Sequence, residues 1–376
     1  MDSSLPAASP RPETRGSPIP EVSIIIPARN EEANLAACLT SLSGQSGVPF
    51  EIIVVDDGST DRTREIAQSF AEVQVISPAS LRENCTGKNN ALIAGAKIAC
   101  APWLLFTDAD TVHQPGSLAR ALAEAKREEA DLVSYSPKQI AISFTERAVM
   151  PIIFAELAAR YPPHKVRDQN SKIVAANGQY IMVCRAAYDA VGGHAAVATE
   201  ILEDVALARF FRSAGFKVYF RYAADAVQTR MYRNWAQLRE GWTKNLALLF
   251  PRPEFLAFQA MAWWLAAWGA LIFAVFAFSG HRHLNMVFAA VWLLAYLRIS
   301  TARSSPLNNL LAIATGPTIF AYLLMRSKRA HAQGQVSWKG RLYGTSGRDE
   351  GARDGKQPAK CISRSEEQDL ELRADN

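Results

Sequence analysis

The sequence predicts an α/β fold with a mostly parallel central sheet, followed by apolar helices. Three observations carry this expectation. Short apolar runs alternate with helical stretches from Val22 to Ser134, as in βαβ units. The strand-like runs are continuously apolar rather than alternating, which fits strands covered on both faces. Beyond Phe255 the chain turns largely apolar as far as Met325.

The elements follow in order. Val22-Ser23-Ile24-Ile25-Ile26, closed by Pro27, reads as a buried strand. Asn30 is the expected N-cap of the next helix, with Glu31 and Glu32 in its first turn and Leu35, Leu39 and Leu42 at helical spacing. Ile52 to Val55 forms a second strand and runs into Asp56-Asp57-Gly58-Ser59. A helix from about Thr63, a third strand at Val73 to Ile76 and a helix from Lys88 to Ala99 precede a fourth strand, Trp103 to Thr107. Further on, Leu118 to Glu129 reads as a charged helix, Asp131 to Ser134 as a strand, and Ala148 to Arg160 as a helix broken by Pro162-Pro163. Glu203 and Asp204 fall in the first turn of a later helix, where the macrodipole favours acids.

The 376 residues suffice for one large or two ordinary domains. Basic and acidic side chains nearly balance, 41 against 36, so no overall field points to nucleic acid. Five scattered cysteines without a C-x-x-C spacing argue against a disulfide framework or zinc site and fit a reducing compartment. Residues 1–20 are rich in Pro and Ser and lack an apolar core, so a flexible leader is expected in place of a signal peptide. The expected division is the leader, a catalytic-type α/β domain over 21–250, an apolar region over 251–330, and an interfacial segment with a disordered tail over 331–376.

Three polar clusters fall at carboxyl ends of strands: Pro27 to Glu31, Asp56 to Ser59, and Asp108-Ala109-Asp110. Ligands of open α/β sheets bind at that edge. Two acids one residue apart repel unless something neutralises them, and Mg²⁺ takes one or two carboxylates together with phosphates. The other reading of this tripeptide is a turn in which one Asp caps the next helix. The coincidence of the clusters on one edge favours the metal and diphosphate reading. No G-x-G-x-x-G follows the first strand, which disfavours a dinucleotide site.

Four blocks in order, "IIIPARNEEANL", "VVDDGSTD", "FTDADT" and "EILEDVALA", resemble family 2 glycosyltransferases of the GT-A fold over about residues 22 to 245. "CTGKNNAL", "ANGQYIMVCRAAYDAVGGH", "MYRNWAQLREGWTKN" and "VSWKGRLY" resemble the membrane-associated branch with hopanoid-associated and carotenoid glycosyltransferases. The resemblance implies inverting transfer of a sugar from a nucleotide-sugar donor. Carried over, Pro27, Ala28, Asn30, Glu31, Asp56, Asp57 and Lys88 would line the nucleotide and donor pocket. Asp108 and Asp110 would hold Mg²⁺ or Mn²⁺ on the diphosphate. Asp204, beside Glu203, would be the general base. His113 is a candidate further metal ligand, otherwise a surface or capping residue. His194, Arg239 and Trp242 are candidate acceptor-side residues. "LREGWTKN" departs from the QxxRW block of processive relatives, which favours transfer of one sugar over polymerisation.

Phe255 to Ser279 and Pro306 to Met325 carry no charge and are long enough to span a membrane, and Leu284 to Leu297 is shorter. Basic residues from Arg230 to Arg252 place the catalytic domain on the cytoplasmic side, and Arg326, Lys328 and Arg329 place the end of the last segment there too. Three full spans would put these two ends on opposite sides, so the two expectations conflict. The whole predicts a multi-pass protein of the cytoplasmic membrane that glycosylates a lipid-like acceptor. The competing readings are a polyprenyl-phosphate or polysaccharide glycosyltransferase and a silent membrane scaffold. The segment Val336 to Tyr343 mixes aromatic and basic residues, which suits a membrane surface or a cover over the donor.

Overall fold

A computed structural model describes residues 19–78, 80–276 and 282–343. The expected leader (apart from its last two residues) and tail lie outside the described residues, as do 277–279 of the first apolar segment. Strands β1 (Val22–Ala28), β2 (Phe50–Asp56), β3 (Val73–Ile76) and β4 (Trp103–Thr107) alternate with helices α1 (Leu35–Ser43), α2 (Thr63–Gln68) and α3 (Gly87–Ile98). Then come β5 (Thr111–His113), α4 (Ser117–Arg127), β6 (Leu132–Ser136), β7 (Lys138–Gln139), α5 (Phe144–Arg160) and α6 (Pro163–Arg167). They are followed by β8 (Tyr180–Cys184), α7 (Arg185–Ala190), α8 (Glu203–Ser213), β9 (Val218–Tyr222) and β10 (Val227–Thr229). The chain continues through α9 (Trp235–Leu249), α10 (Pro253–Phe276), α11 (Arg282–Ser300) and α12 (Pro306–Ala332) to a hairpin of β11 (Val336–Trp338) and β12 (Arg341–Tyr343).

The central sheet has the order β3-β2-β1-β4-β8-β6-β9. All its pairings are parallel except those of β8, which runs antiparallel to β4 and β6. This is the expected α/β architecture with a mostly parallel sheet. The single reversed strand was not legible in the sequence. Side chains alternate between two cores: Ile24 and Ile26 join Leu35, Leu39 and Leu42 on one face, while Ile25 joins Ile53, Leu92 and Phe106 on the other. Each such fully buried aliphatic contributes about 1.5–3 kcal/mol. Parallel pairing sets Ala28 opposite Asp56 and Ile25 opposite Phe106, so the polar clusters after β1, β2 and β4 emerge level on one edge.

Asn30 is not the cap of α1. The helix starts five residues later, with Asn34 at its N-cap position, while Asn30 adopts a left-handed φ of 52°. Its Oδ1 instead accepts from the Thr60 amide at 2.9 Å, tying the loop after β1 to that after β2. Asn tolerates this backbone conformation better than most residues.

A third core joins the C-terminal helices to the α/β domain through α5 and α9, with Val149, Ile153, Trp242, Leu246, Phe320 and Leu324 among its buried members. A Cβ on Gly316 would fall 2.1 Å from the Ala148 carbonyl oxygen, so glycine is what lets α12 approach α5 this closely. Trp264 and Trp268 turn inward and donate their indole N–H to the Ala314 carbonyl at 2.8 and 2.9 Å, whereas Trp263 stays 49% exposed. Among the described residues, one helix, α12, is long and apolar enough to cross a membrane, and 44% of its apolar window is buried inside the protein. Just before α12, Arg303 stacks on the Tyr222 ring of β9 at 4.5 Å. Just after it, the β11–β12 hairpin reaches Glu31 and Asp57. Both ends of this helix are therefore held by the same α/β body.

Candidate functional site

The sheet edge opens into a cavity of about 290 Å³ lined by Pro27, Ala28, Glu31, Asp57, Lys88, Asp108, Asp110, Glu203, Asp204 and Trp242 from the expected set. Its floor is polar and comes from the strand ends. Its wall is apolar and includes Phe154 and Leu157 of α5, Leu249 of α9, and Leu202, Phe220 and Met231. Pockets of this mixed character suit a ligand with one polar and one apolar end.

Helix α3 organises the floor. Thr86 caps it by accepting from the Asn89 amide at 3.1 Å, and Lys88, two residues after the cap, lines the cavity. The Lys88 ammonium lies 2.8 Å from Asp108 Oδ1 and 2.7 Å from Glu203 Oε1, and so joins two motifs far apart in the sequence. Asn89, fully buried, donates to the carbonyls of Val197, Ala198 and Glu200 and thereby fixes the loop that leads into α8. Burial alone would lower the Lys88 pKa, but Asp108 and Glu203 outweigh it and hold the ammonium well above its ordinary value.

The acids differ in state. Burial pushes Glu203 up, yet Lys88 and Lys244 prevail and hold it below the usual range. Burial, reinforced by the Glu203 charge, pushes Asp204 up to about 6, although its oxygens accept from the Gly178 and Val205 amides, each at 2.8 Å. Burial and the carboxylates of Asp108 and Glu31 push Asp110 up to about 8. The buried Asp110 Oδ1 has no hydrogen-bond partner among the described residues. That orphaned oxygen, beside the Asp108 carboxylate, fits a divalent cation. Among the described residues no group of three or more His, Cys, Asp or Glu is arranged to hold a metal. A cation shared with a diphosphate needs only one or two protein carboxylates.

Five expected residues do not line the cavity. Asn30 ties two loops, as described. Asp56 turns away and accepts from the Ser59 amide at 3.0 Å and from Arg64 at 3.4 Å. The His113 ring is buried, with Nε2 3.2 Å from the hydroxyls of both Thr107 and Thr111, and burial pulls it down to about 3. His194 is a core histidine, bonded through Nδ1 to the Tyr188 hydroxyl at 3.0 Å and set edge-on to Phe106; burial pulls it down to about 4. Arg239 of α9 lies outside the lining.

Lys244 was not singled out as a lining residue from the sequence, whereas the segment Val336 to Tyr343 was expected on a membrane surface or over the donor. Lys244 of α9, two residues after Trp242, also lines the cavity, and burial lowers its pKa. The hairpin places Trp338, Lys339 and Arg341 over the Glu31 and Asp57 side of the cavity. Its turn residues Lys339 and Gly340 have φ of 47° and 77°, the left-handed pair that a two-residue hairpin loop demands. The Lys-Gly dipeptide between two short apolar-aromatic runs was the available signal.

A mostly parallel sheet with paired carboxylates and a lysine at its strand ends defines a GT-A-like α/β protein. Residues 23–192 match the glycosyl transferase family 2 model. It resembles carotenoid glycosyltransferases over most of its length. The 4,4'-diaponeurosporenoate glycosyltransferase of Staphylococcus aureus strain MRSA252 is 29% identical over 340 residues, covering 86% of this chain and 88% of the relative. The same enzyme of strain USA300 is 28% identical over 335 residues, with coverage of 86% and 88%. Among solved structures, the mannosyltransferase PcManGT from Pyrobaculum calidifontis in complex with GDP-Man and Mn²⁺ aligns with a TM-score of 0.44 at 17% identity, over 86% of this chain and 88% of that one.

Proposed function

We propose that the protein is an inverting glycosyltransferase that moves a single sugar from a nucleotide sugar to a lipid-like acceptor at the cytoplasmic face of a membrane. The observation that carries this reading is the composition of one cavity: charged residues gathered at the sheet edge and an apolar wall opposite, with Asp204 among its lining residues. The likeness to enzymes that glycosylate a carotenoid acid supports an apolar acceptor.

In this reading Asp204 accepts the proton of the acceptor's hydroxyl or carboxyl group. The acceptor oxygen forms its bond to the anomeric carbon as the bond from that carbon to the diphosphate breaks, which inverts the configuration. A carboxyl poised near 6 is ionised at neutral pH and still basic enough to take a proton. Glu203 is engaged by Lys88, which leaves Asp204 as the freer of the two acids. Asp108 and Asp110 would hold Mg²⁺ or Mn²⁺, which when bound supplies positive charge to the leaving diphosphate. Lys88 adds a point charge to the same side.

Membrane attachment is proposed through α10 and α11, which expose Phe258, Leu265, Ile272, Met286, Leu293 and Leu294 to the surroundings. A contiguous apolar surface of this kind favours a bilayer. The multi-pass arrangement expected from hydropathy is not supported, since among the described residues α12 is the one helix long and apolar enough to cross, and the contacts of its two ends with the α/β body favour its staying on one side. In this proposal α12 stays on the cytoplasmic side, with α10 and α11 as the segments that enter the bilayer.

The test is sugar transfer by the purified protein in detergent or nanodiscs, with nucleotide sugars varied and with an apolar acid or alcohol as acceptor. Chelation should abolish transfer and Mn²⁺ or Mg²⁺ restore it. Transfer that ignores both chelator and Asp204→Asn would sink this mechanism.

A further inference from the structure

Among the described residues the β11–β12 hairpin pairs only with itself and belongs to neither of the other sheets. Side chains hold it to the domain. Arg341 forms a two-pronged ion pair with Asp57, with Nη2 3.1 Å from Oδ1 and Nη1 on Oδ2. Lys339 donates to the Arg29 carbonyl at 2.8 Å and pairs with Glu31. These partners lie at the ends of β1 and β2, on the polar floor. A Cβ on residue 87 would fall 1.6 Å from Arg341 Nη1, so Gly87, at the start of α3, makes the room that the guanidinium occupies.

The charge balance shows what these cations can do. Glu31, Asp57, Asp108, Asp110, Glu203 and Asp204 all line the cavity, against Arg29 after β1, Lys88 on α3 and Lys244 on α9, so carboxylates outnumber the cations supplied outside the hairpin. Such a floor repels a diphosphate unless further positive charge is supplied. The hairpin brings two cations that are now spent on carboxylates. A guanidinium fork fits phosphate oxygens as well as it fits a carboxylate, so it can exchange one for the other without losing its bidentate geometry.

We propose that Lys339 and Arg341 are donor-binding residues that leave Glu31 and Asp57 when the nucleotide sugar enters and take up its diphosphate. Asp57 is then free to accept hydrogen bonds from the rest of the nucleotide. No covalent step is involved. The inference rests on the donor reading above, and it adds a diphosphate-responsive clasp contributed from beyond the family 2 domain.

The experiment is calorimetric titration of the full chain with UDP and with GDP, alongside uridine and guanosine. Arg341→Gln and Lys339→Gln should each weaken diphosphate binding by about tenfold or more, while nucleoside binding is unchanged or improved. Arg341→Lys should recover part of the loss. Hydrogen exchange on the wild-type chain gives a readout that needs no variant: amides of Val336 to Tyr343 should change protection with the bound diphosphate and not with the nucleoside. Diphosphate affinity that is unchanged or tighter in Arg341→Gln, equal losses for nucleoside and diphosphate, or no exchange response would overturn the clasp alone. A wild-type chain that binds neither UDP nor GDP would overturn the donor reading and the clasp with it.

Discussion

The Gly178 amide donates to Asp204 Oδ2 at 2.8 Å, and this bond fixes the orientation of the carboxylate at the mouth of α8. A Cβ on Gly178 would come within 3.4 Å of Asp204 Oδ2 and of Glu203 Oε1 and within 3.3 Å of Lys88 Nζ, so a side chain there would crowd all three charged groups. Burial and the neighbouring Glu203 charge make the carboxyl hold its proton more tightly than usual, against the two amide bonds that orient it.

Asp204→Asn should lower kcat by about 10²–10⁴-fold, the range of a general base, with donor affinity largely kept. The pH dependence follows from the raised pKa. The base must be ionised, so log kcat/KM should fall by about one for each pH unit below about 6 and level off above it. Stability runs the other way at this group. Its folded pKa lies above its ordinary 3.8, so between about 4 and about 6 the folded state holds a proton that the unfolded state has lost, and this contribution declines as pH rises. Rate profiles and melting curves across pH 4 to 8 check both signs, and an Asp204→Asn melting curve without that slope assigns it to this carboxyl.

Lys88→Met should be more damaging to the site than to the fold. It leaves Asp108 and Glu203 facing each other without their shared cation, and the side chain is 32% exposed, so solvent shares the burden. A stability loss of roughly 1–2 kcal/mol is expected, below that of a fully buried pair. Transfer activity should fall by about 10²-fold or more through loss of charge stabilisation of the leaving group. Denaturant unfolding set beside steady-state kinetics separates the two effects, and a variant that loses stability without losing transfer would reassign Lys88 to structure.

How much of this was legible depended on the range of the interactions. Strands β1 to β4 and their polar ends could be read locally, because short apolar runs closed by Pro27, Asp56 and Asp108 mark both burial and the sheet edge. The antiparallel β8 could not, because the apolar run Tyr180 to Cys184 carries no mark of direction and only its pairing with β4 and β6 settles the sense. Asn30 looked like a cap because Asx residues favour caps and left-handed turns alike, and the Thr60 amide that decides between them lies thirty residues away. His113 and His194 looked available because sequence cannot show that Thr107, Thr111 and Tyr188 already engage their rings. Arg341 was the least accessible, since its partner Asp57 lies 284 positions earlier in the chain.

Gly316→Val tests whether α12 belongs to the catalytic body. The added side chain would meet the Ala148 carbonyl oxygen, 2.1 Å from the ideal Cβ, and Ile152 Cδ1 at 2.5 Å, in a contact between two helices that cannot easily part. Overpacking of this kind costs about 1–3 kcal/mol. Gly269→Ala on α10 is the matched control, because nothing lies within 4 Å of its Cβ position. It should leave the melting temperature unchanged or raise it slightly, since alanine is the better helix former. Equal effects of the two substitutions would mean that the α5–α12 contact contributes nothing to the fold.

In the arrangement proposed above, the ends of α12 would reconcile the two basic clusters. A helix of 27 residues is about 40 Å long, enough to cross a bilayer, yet Arg303 before it touches Tyr222 and Lys339 after it touches Glu31. Tyr222 and Glu31 belong to one α/β body, and under the proposal a helix anchored to it at both ends would stay on one side of the membrane. Cysteines placed at the exposed Thr301 and Gln333, in a chain whose native cysteines are replaced by serine, should both react with a membrane-impermeant maleimide from the cytoplasmic side. Labelling of the two positions from opposite sides would show that α12 crosses the bilayer.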